Sequence, residues 1–350
     1  MKEIFIISND KFYVKKKDFF NSNKNTFTII NCFKKLKKIY LFARTSKNKG
    51  LFRHKMSNAE LIGVNRIFEF KERIRKQKTL IISLTPYNFF IAYIFTLIGV
   101  RKKNLFLFLR SDGYQEYTIK YGKLGGLIYN MMLGFIKNKL NIITCSTSIN
   151  KKIKSRLVYL SEISNKWLHY RKKNIKKINF TNKIRLLYLG RFRKEKGFQD
   201  LINLFNNLRI DCSLTIVGND FKFLKKKNYP KNPNIKIFGQ VSSEKKLIKF
   251  YDNSDIFILP SYTEAYPQVI LESFSRLRPV IIFKEIIFLK NIFKKGLFWC
   301  YRNPSSLKKT IKKIINEYEK IQIQIYKDKL YTFNDFKTQL INILIKKNKL

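Results

Sequence analysis

The chain has 350 residues, a length that at roughly 150 residues per domain suits about two domains. With 45% apolar and 27% charged residues, 32 Phe and 19 Tyr, it is too apolar and aromatic for a disordered chain, and collagen and coiled coil are excluded as whole-chain readings. Lys and Arg number 73 against 23 Asp and Glu, a formal net charge of +50. That excess admits three readings: a general drift toward Lys, Asn, Ile and Phe; contact with an anionic membrane surface or phosphorylated substrates; or nucleic acid. For the last, no RNP strand, zinc finger or similar module stands in the sequence.

The opening residues MKEIFIISND read as a short strand followed by polar residues, without the long apolar core of a secretion signal. Strand-sized apolar runs then recur at 4–7, 27–32, 39–43, 80–84, 105–109, 142–145 and 157–160. Helix-sized segments such as 124–136 lie between the later ones, an alternation that implies parallel sheet units. From Thr79 to Val100 no charged residue occurs over 22 positions, long enough for a membrane span. Pro86 and Asn88 interrupt that run, so a buried strand followed by a helix over 88–99 is the preferred reading, with contact to a membrane left open. Gly122, Gly125 and Gly126 lack the Lys-Ser or Lys-Thr of a phosphate loop and are read as helix packing.

Residues 166–182 are polar, basic and without period, and are read as an inter-domain linker. After them the alternation is regular: strand 184–189, helix 198–208, strands 214–217 and 235–238, helix 243–251, strand 255–259, helix 267–277 and strand 279–283. This predicts a second doubly wound domain with a crevice at the carboxyl ends of its strands. The tail from Ser305 reads as helices, the last over 334–346. The domain expectation is therefore 1–165, linker 166–182, 183–330, and a terminal helix within 331–350 that packs back on the amino-terminal domain. Four cysteines without a CxxC pair and two isolated histidines argue for reduced thiols, a cytosolic compartment and no His-based metal site.

Two loops carry chemistry. In Gly190-Arg191-Phe-Arg193-Lys194-Glu195-Lys196-Gly197, between a strand and a helix, Arg191 and Lys196 can converge on a phosphate group, although a solvated basic turn is the bland alternative. In Pro260-Ser261-Tyr-Thr-Glu264-Ala265-Tyr266-Pro267-Gln268, Pro267 suits a first helical position, which leaves backbone N–H groups for an anion or sugar hydroxyls. Glu264 at the helix mouth and Glu272 within the helix are eight residues apart, so they suit different parts of one elongated ligand rather than a close dyad.

The run from Ile184 to Phe283 resembles the carboxyl-terminal domain of retaining glycosyltransferases of glycosyltransferase family 4. The resemblance rests on LYLGRFRKEKGFQDLI, LTIVGND, IKIFGQVSSEKKLIKFYDNSDIFILPS and EAYPQVILESFSRLRPVII, in the family's order. It implies an α/β protein of GT-B architecture, two Rossmann-like doubly wound domains facing across a cleft. By the same resemblance Arg191 and Lys196 match the pair that binds the diphosphate of a nucleotide-sugar donor, and Glu272 matches the residue that holds the ribose hydroxyls. Glu264 matches the acid beside the donor sugar, the backbone of Ala265 and Tyr266 contacts that sugar, and Val241 falls where the chain passes the base. Metal is generally not required in this family, and no cofactor beyond the nucleotide-sugar co-substrate is implied.

This sequence departs from the family pattern at Ala265, at Arg276 to Arg278, which are expected to reshape the sugar pocket, and at Ser8-Asn9-Asp10, where a glycine-rich loop is usual. Neither His54 nor His169 falls at the amino-terminal His that some members use. The loop after strand 105–109 reads Arg110-Ser111-Asp112-Gly113-Tyr114, and Asp112 is the candidate acceptor-side or catalytic contact, with an Asp-Gly turn as the alternative. The expected function is retaining transfer of a sugar to a saccharide or lipid-linked acceptor in surface polysaccharide or glycolipid synthesis, by a peripheral protein at the inner face of a cytoplasmic membrane. The altered residues motivate a rival: a catalytically degenerate binding protein of the same fold acting in a complex.

Overall fold

The structure is a computed structural model and describes residues 1–15, 18–47, 54–56, 59–146, 149, 153–178, 181–218, 232–264 and 266–345. The chain forms two compact units, one of Met1–Glu162 with Phe333–Leu350, the other of Ile163–Thr332.

The first unit is built on β1 (Glu3–Lys15), β2 (Asp18–Asn21), α1 (Lys24–Asn31), β3 (Lys38–Ser46), β4 (His54–Met56), β5 (Ala59–Ile62), α2 (Lys71–Lys76), β6 (Lys78–Ile82), α3 (Pro86–Leu97), β7 (Leu105–Leu109), α4 (Gly113–Ile136), β8 (Asn141–Thr144) and β9 (Arg156–Leu157). Its parallel strands run β5-β3-β1-β6-β7-β8-β9, and β2 and β4 add an antiparallel extension to the far end of β1. The continuous apolar runs of β1 and β7 are buried, as expected of strands covered on both faces. Near its end the chain returns to this unit as a helix, Phe333–Ile345, whose Phe336 ring stacks on Phe108.

Two expectations differ here, and a third is met with shifted bounds. Residues 27–32 are not a strand: 27–31 lie in α1 and Cys32 is its C-cap, because the Asn23 side chain accepts from the N–H groups of Asn25 and Thr26 and starts a helix whose Thr26, Ile29 and Ile30 are buried. β9 ends at Leu157, and the Tyr159 N–H bonds the Gln339 side chain instead of a strand neighbour. The uncharged run 79–100 is divided between β6 and α3; Thr85 caps α3 by accepting from Asn88 N–H, and Pro86 occupies its first turn. No helix among the described residues is long and apolar enough to cross a membrane.

α4 is two helices folded against each other at Gly122, whose φ of 74° breaks the helix. A Cβ on Gly126 would lie 2.3 Å from Thr118 Oγ1, and one on Gly113 would strike the Tyr129 ring, so these glycines let the two arms close.

The second unit contains β10 (Ile184–Leu189), α5 (Phe198–Asn206), β11 (Cys212–Val217), β12 (Ile235–Phe238), α6 (Glu244–Asp252), β13 (Ile256–Leu259), α7 (Gln268–Ser275), β14 (Val280–Phe283), β15 (Leu297–Cys300) and two helices, Pro304–Asn316 and Tyr318–Lys327. All six strands are parallel in the order β12-β11-β10-β13-β14-β15. The order reverses between β10 and β13, the topological switch point at which open α/β sheets bind their ligands.

The described part of 166–182 is packed into this unit rather than extended. Trp167 is buried with its ring edge-on to Tyr251, and Arg276 donates to the carbonyls of Trp167 and His169 at 2.8 and 2.9 Å. Arg278 donates to Asn174 O, and Gln322 joins the same carbonyl to that of Leu277. Arg276 also grips Asp252 through two hydrogen bonds. The two arginines thus clamp this segment beyond the last turn of α7, at the opposite end of that helix from the Glu264 loop.

Candidate functional site

The site lies where the switch point places it. The loop after β10 supplies Arg191 and Lys196; the loop after β13 supplies Glu264 and leads into α7. The two loops approach closely at Gly197, which has φ 61° and whose added Cβ would lie 1.9 Å from Pro260 O. Backbone joins them too, since Tyr262 N–H donates to Glu195 O at 3.0 Å.

Across this junction the Lys196 Nζ lies 2.6 Å from Glu264 Oε1, with both side chains largely buried. Ser261 Oγ donates to the same carboxylate oxygen at 2.7 Å. The structure therefore brings together a cation and an acid that are 68 residues apart in sequence. Arg191 is exposed on the same loop, and its carbonyl accepts from Tyr188 OH at 2.9 Å. Burial, with Glu264 nearby, pushes the Tyr188 phenol up, so it stays protonated and holds the loop.

Glu272 is buried within α7, where Tyr251 OH donates to its Oε2 at 2.9 Å. Burial first, then the Glu272 charge, drives the Tyr251 phenol far above its ordinary value, so this donor is permanent at any physiological pH. Glu264 and Glu272 thus have separate partners and separate surroundings. α7 begins at Gln268 with Pro267 at its N-cap position, one residue later than expected. Tyr266 is buried and stacks on Phe293 with ring centroids 5.4 Å apart. Ala265 lies outside the described residues. Val241 is half-buried in the loop after β12, at the sheet edge on the β10 side of the switch point.

Arg302, just after β15, was not singled out by sequence and proves central. It donates to Pro260 O at 3.1 Å, pairs with Glu285 at 2.9 Å and stacks on the Tyr262 ring at 4.0 Å, while Tyr262 OH reaches Asp200. Its buried Nη2 has no hydrogen-bond partner among the described residues. One basic residue among 73 carried no signal that would mark it. Arg302→Ala is expected to lower stability by about 2 kcal/mol, the usual cost of removing a charged hydrogen bond from a buried acceptor; urea unfolding checks this, and an unchanged midpoint would deny Arg302 a part in holding the Pro260 loop.

In the first unit the middle of β1, where its register with β3 shifts, and the carboxyl ends of β6 and β7 carry a polar cluster. Arg110 donates to Ser83 Oγ at 2.9 Å and reaches Thr26 Oγ1, while Asp10 is joined to Thr26, Asn23 and Ser8. Burial pushes the Arg110 guanidinium down, opposed by the Asp10 charge. Ser83 has φ 66°, a conformation sparsely used by non-glycine residues. Asp112 caps α4, its Oδ1 accepting from Gln115 N–H at 3.2 Å. His54 stacks on Phe27, and His169 lies beside Tyr170. All four cysteines are free and buried, and burial pushes the Cys145 and Cys300 thiols up to about 12, so neither is an activated nucleophile. Among the described residues no three His, Cys, Asp or Glu side chains gather into a metal-binding group.

Comparison with known proteins adds the following. Residues 170–329 match the family model "Glycosyl transferases group 1". Over 107 residues the chain is 29% identical to the capsular polysaccharide biosynthesis glycosyltransferase CapM of Staphylococcus aureus; that match covers 27% of this chain and only 26% of the curated relative. The fold is similar to that of Anabaena HepE, solved with UDP and glucose, at 12% identity and TM-score 0.65, covering 98% of this chain and 99% of that one. It is also similar to WaaG, a glycosyltransferase involved in lipopolysaccharide biosynthesis, at 15% identity and TM-score 0.62, covering 98% and 100%. With its two doubly wound units the chain has the GT-B fold, and residues 170–329 are similar to the glycosyl transferases group 1.

Proposed function

We propose that this protein is a retaining glycosyltransferase that moves a sugar from a nucleotide-diphosphate donor to a saccharide or lipid-linked acceptor in surface polysaccharide or glycolipid synthesis. The observation that carries the reading is the Lys196–Glu264 pair at the switch point, with Glu272 held by Tyr251 in the helix that follows. Lys196 and Arg191 stabilise the charge that grows on the departing diphosphate, because fixed cations need no reorganisation as that charge develops. Glu272 accepts from the ribose hydroxyls, Glu264 and the backbone at 265–266 orient the sugar, and the chain at Val241 borders the base. In the first unit we assign Asp112 to the acceptor side. No metal is assigned a role.

The test is thermal stabilisation of the purified protein by UDP, GDP, ADP and CMP, without metal and then with magnesium, since a ligand that binds only the folded state raises its stability. HepE was solved with UDP, which makes UDP the first nucleotide to try. One diphosphate is expected to give a clear shift, and Arg191→Ala, Lys196→Ala and Glu272→Ala are each expected to weaken its binding about tenfold, the loss of one charge-assisted contact. Unchanged affinity in all three variants would remove the site assignment. No shift with any nucleotide would favour the degenerate binding protein.

A further inference from the structure

We infer that the folded pair of helices in α4, with the exposed side of neighbouring α3, is a docking surface for a bilayer with anionic headgroups, on which the protein lies without spanning it. In the second arm, Lys123 to Ile136, one side buries Gly125, Gly126, Tyr129, Met132, Leu133 and Ile136 in the first unit. Core packing needs no more than that side. Yet the opposite side is also apolar: Leu124, Leu127, Ile128, Met131 and Phe135 are all exposed, Leu124 at 67% and Phe135 at 61%. They stand at i, i+3, i+4, i+7 and i+11, one face of a helix. The first arm adds Ile119 and Tyr121, and α3, packed beside α4, adds Phe90 and Leu97. An apolar stripe of this size on a surface marks an interaction site.

The surrounding charge selects the partner. From Lys120 to Lys139 there are four lysines and no acidic residue, and Arg101, Lys102 and Lys103 follow α3. Glu116, the one acid in α4, is already paired with Lys120 and bonded by Ser111. An apolar face on a segment whose cations outnumber its acids fits acyl chains below anionic headgroups. A second copy of the chain would bring the same lysines face to face, which like-charge repulsion opposes. The inference rests on the transferase reading only for its purpose, the delivery of a lipid-linked acceptor.

The experiment is co-sedimentation of the full chain with vesicles of phosphatidylcholine alone and of phosphatidylcholine mixed with phosphatidylglycerol, each variant being checked for its thermal shift with UDP. Binding is expected on the mixed vesicles and to be much weaker on phosphatidylcholine. Leu124→Ser/Met131→Ser/Phe135→Ser should lower partitioning by about tenfold or more, as loss of three inserted apolar side chains requires. Lys123→Gln/Lys137→Gln should lower it about 25-fold on mixed vesicles at low salt, near fivefold per cation. Ile323→Ser/Tyr326→Ser, exposed on the second unit, should change nothing. Equal binding of the triple variant and the parent chain, or equal binding to both vesicle types, would overturn the inference. So would a dimer that the triple variant dissociates while neither protein binds vesicles, which assigns the face to a second copy. A UDP shift without vesicle binding defeats this inference alone, and vesicle binding without a nucleotide shift defeats the transferase reading alone.

Discussion

Gly197→Ala is expected to cost on the order of 3 kcal/mol or more and to abolish stabilisation by the donor diphosphate. Two independent features of this position add. Its φ of 61° is one that L side chains rarely adopt, and its Cβ would sit 1.9 Å from Pro260 O and 2.8 Å from Pro260 C, backbone atoms that no rotamer change can move. Relief requires the loop after β10 to part from the loop after β13. That separation breaks the Tyr262–Glu195 backbone bond and draws Lys196 away from Glu264. Urea unfolding and the nucleotide thermal shift measure the two consequences. A variant with the parent's midpoint and the parent's shift would mean that the loops do not depend on this contact.

The second large effect is expected at Asp255, immediately before β13 and 2% exposed. Its carboxylate accepts from the Arg185 backbone N–H at 2.8 Å, from the Arg185 guanidinium at 3.1 and 2.9 Å, and from Lys176, 2.5 Å away. Its carbonyl accepts from Tyr318 OH. One residue thus links the start of β10 and the segment that precedes it through its side chain, and a carboxyl-terminal helix through its carbonyl. Asp255→Ala leaves the cations around a buried gap without their counter-charge, a loss of about 3 kcal/mol.

The same carboxylate makes stability depend on acid. Burial by itself would raise the Asp255 value, but the hydrogen bonds from Arg185 and Lys176 outweigh it and hold the group below its ordinary 3.8. Folding therefore binds fewer protons than the unfolded chain does near that pH. The stabilisation is present above the ordinary carboxylate value and is lost as pH falls through the lower folded value. Urea midpoints measured below about pH 4 should fall less steeply for Asp255→Asn than for the parent chain. Parallel profiles would show that Asp255 does not titrate as part of this network.

The second unit was the more legible half. Strands 184–189 and 235–238 are found where the apolar runs put them: β10 is largely buried inside the sheet, which favours a near-continuous apolar segment, while β12 is an exposed edge strand bounded by turns. β15 was missed: Leu297–Cys300 is short, follows a lysine-rich turn and has no alternation. In the first unit 27–32 shows how local composition misleads. Its β-branched and aromatic residues suit a strand, yet one Asn cap and a buried helical face decide for α1. β2 and β4 are short edge pieces whose partner is the distal part of β1, a pairing that no run of residues announces.

By itself the sequence determined the parallel α/β class, the position of both candidate loops at strand ends, and the choice of Arg191, Lys196 and Glu264 in those loops and of Glu272 in the helix that follows as candidate residues. These are local properties: period, turn residues and motif spacing act over a few residues and are written in order along the chain. Tertiary structure alone decided that Lys196 meets Glu264, that Tyr251 holds Glu272, that Arg302 supports Pro260, and that Arg276 and Arg278 clamp the segment before β10. It also decided which of the two apolar sides of α4 faces water. Contacts between residues tens to more than a hundred positions apart depend on strand order and packing. In a chain with so many cations, the partner a given cation meets is set by that geometry rather than by its neighbours in sequence.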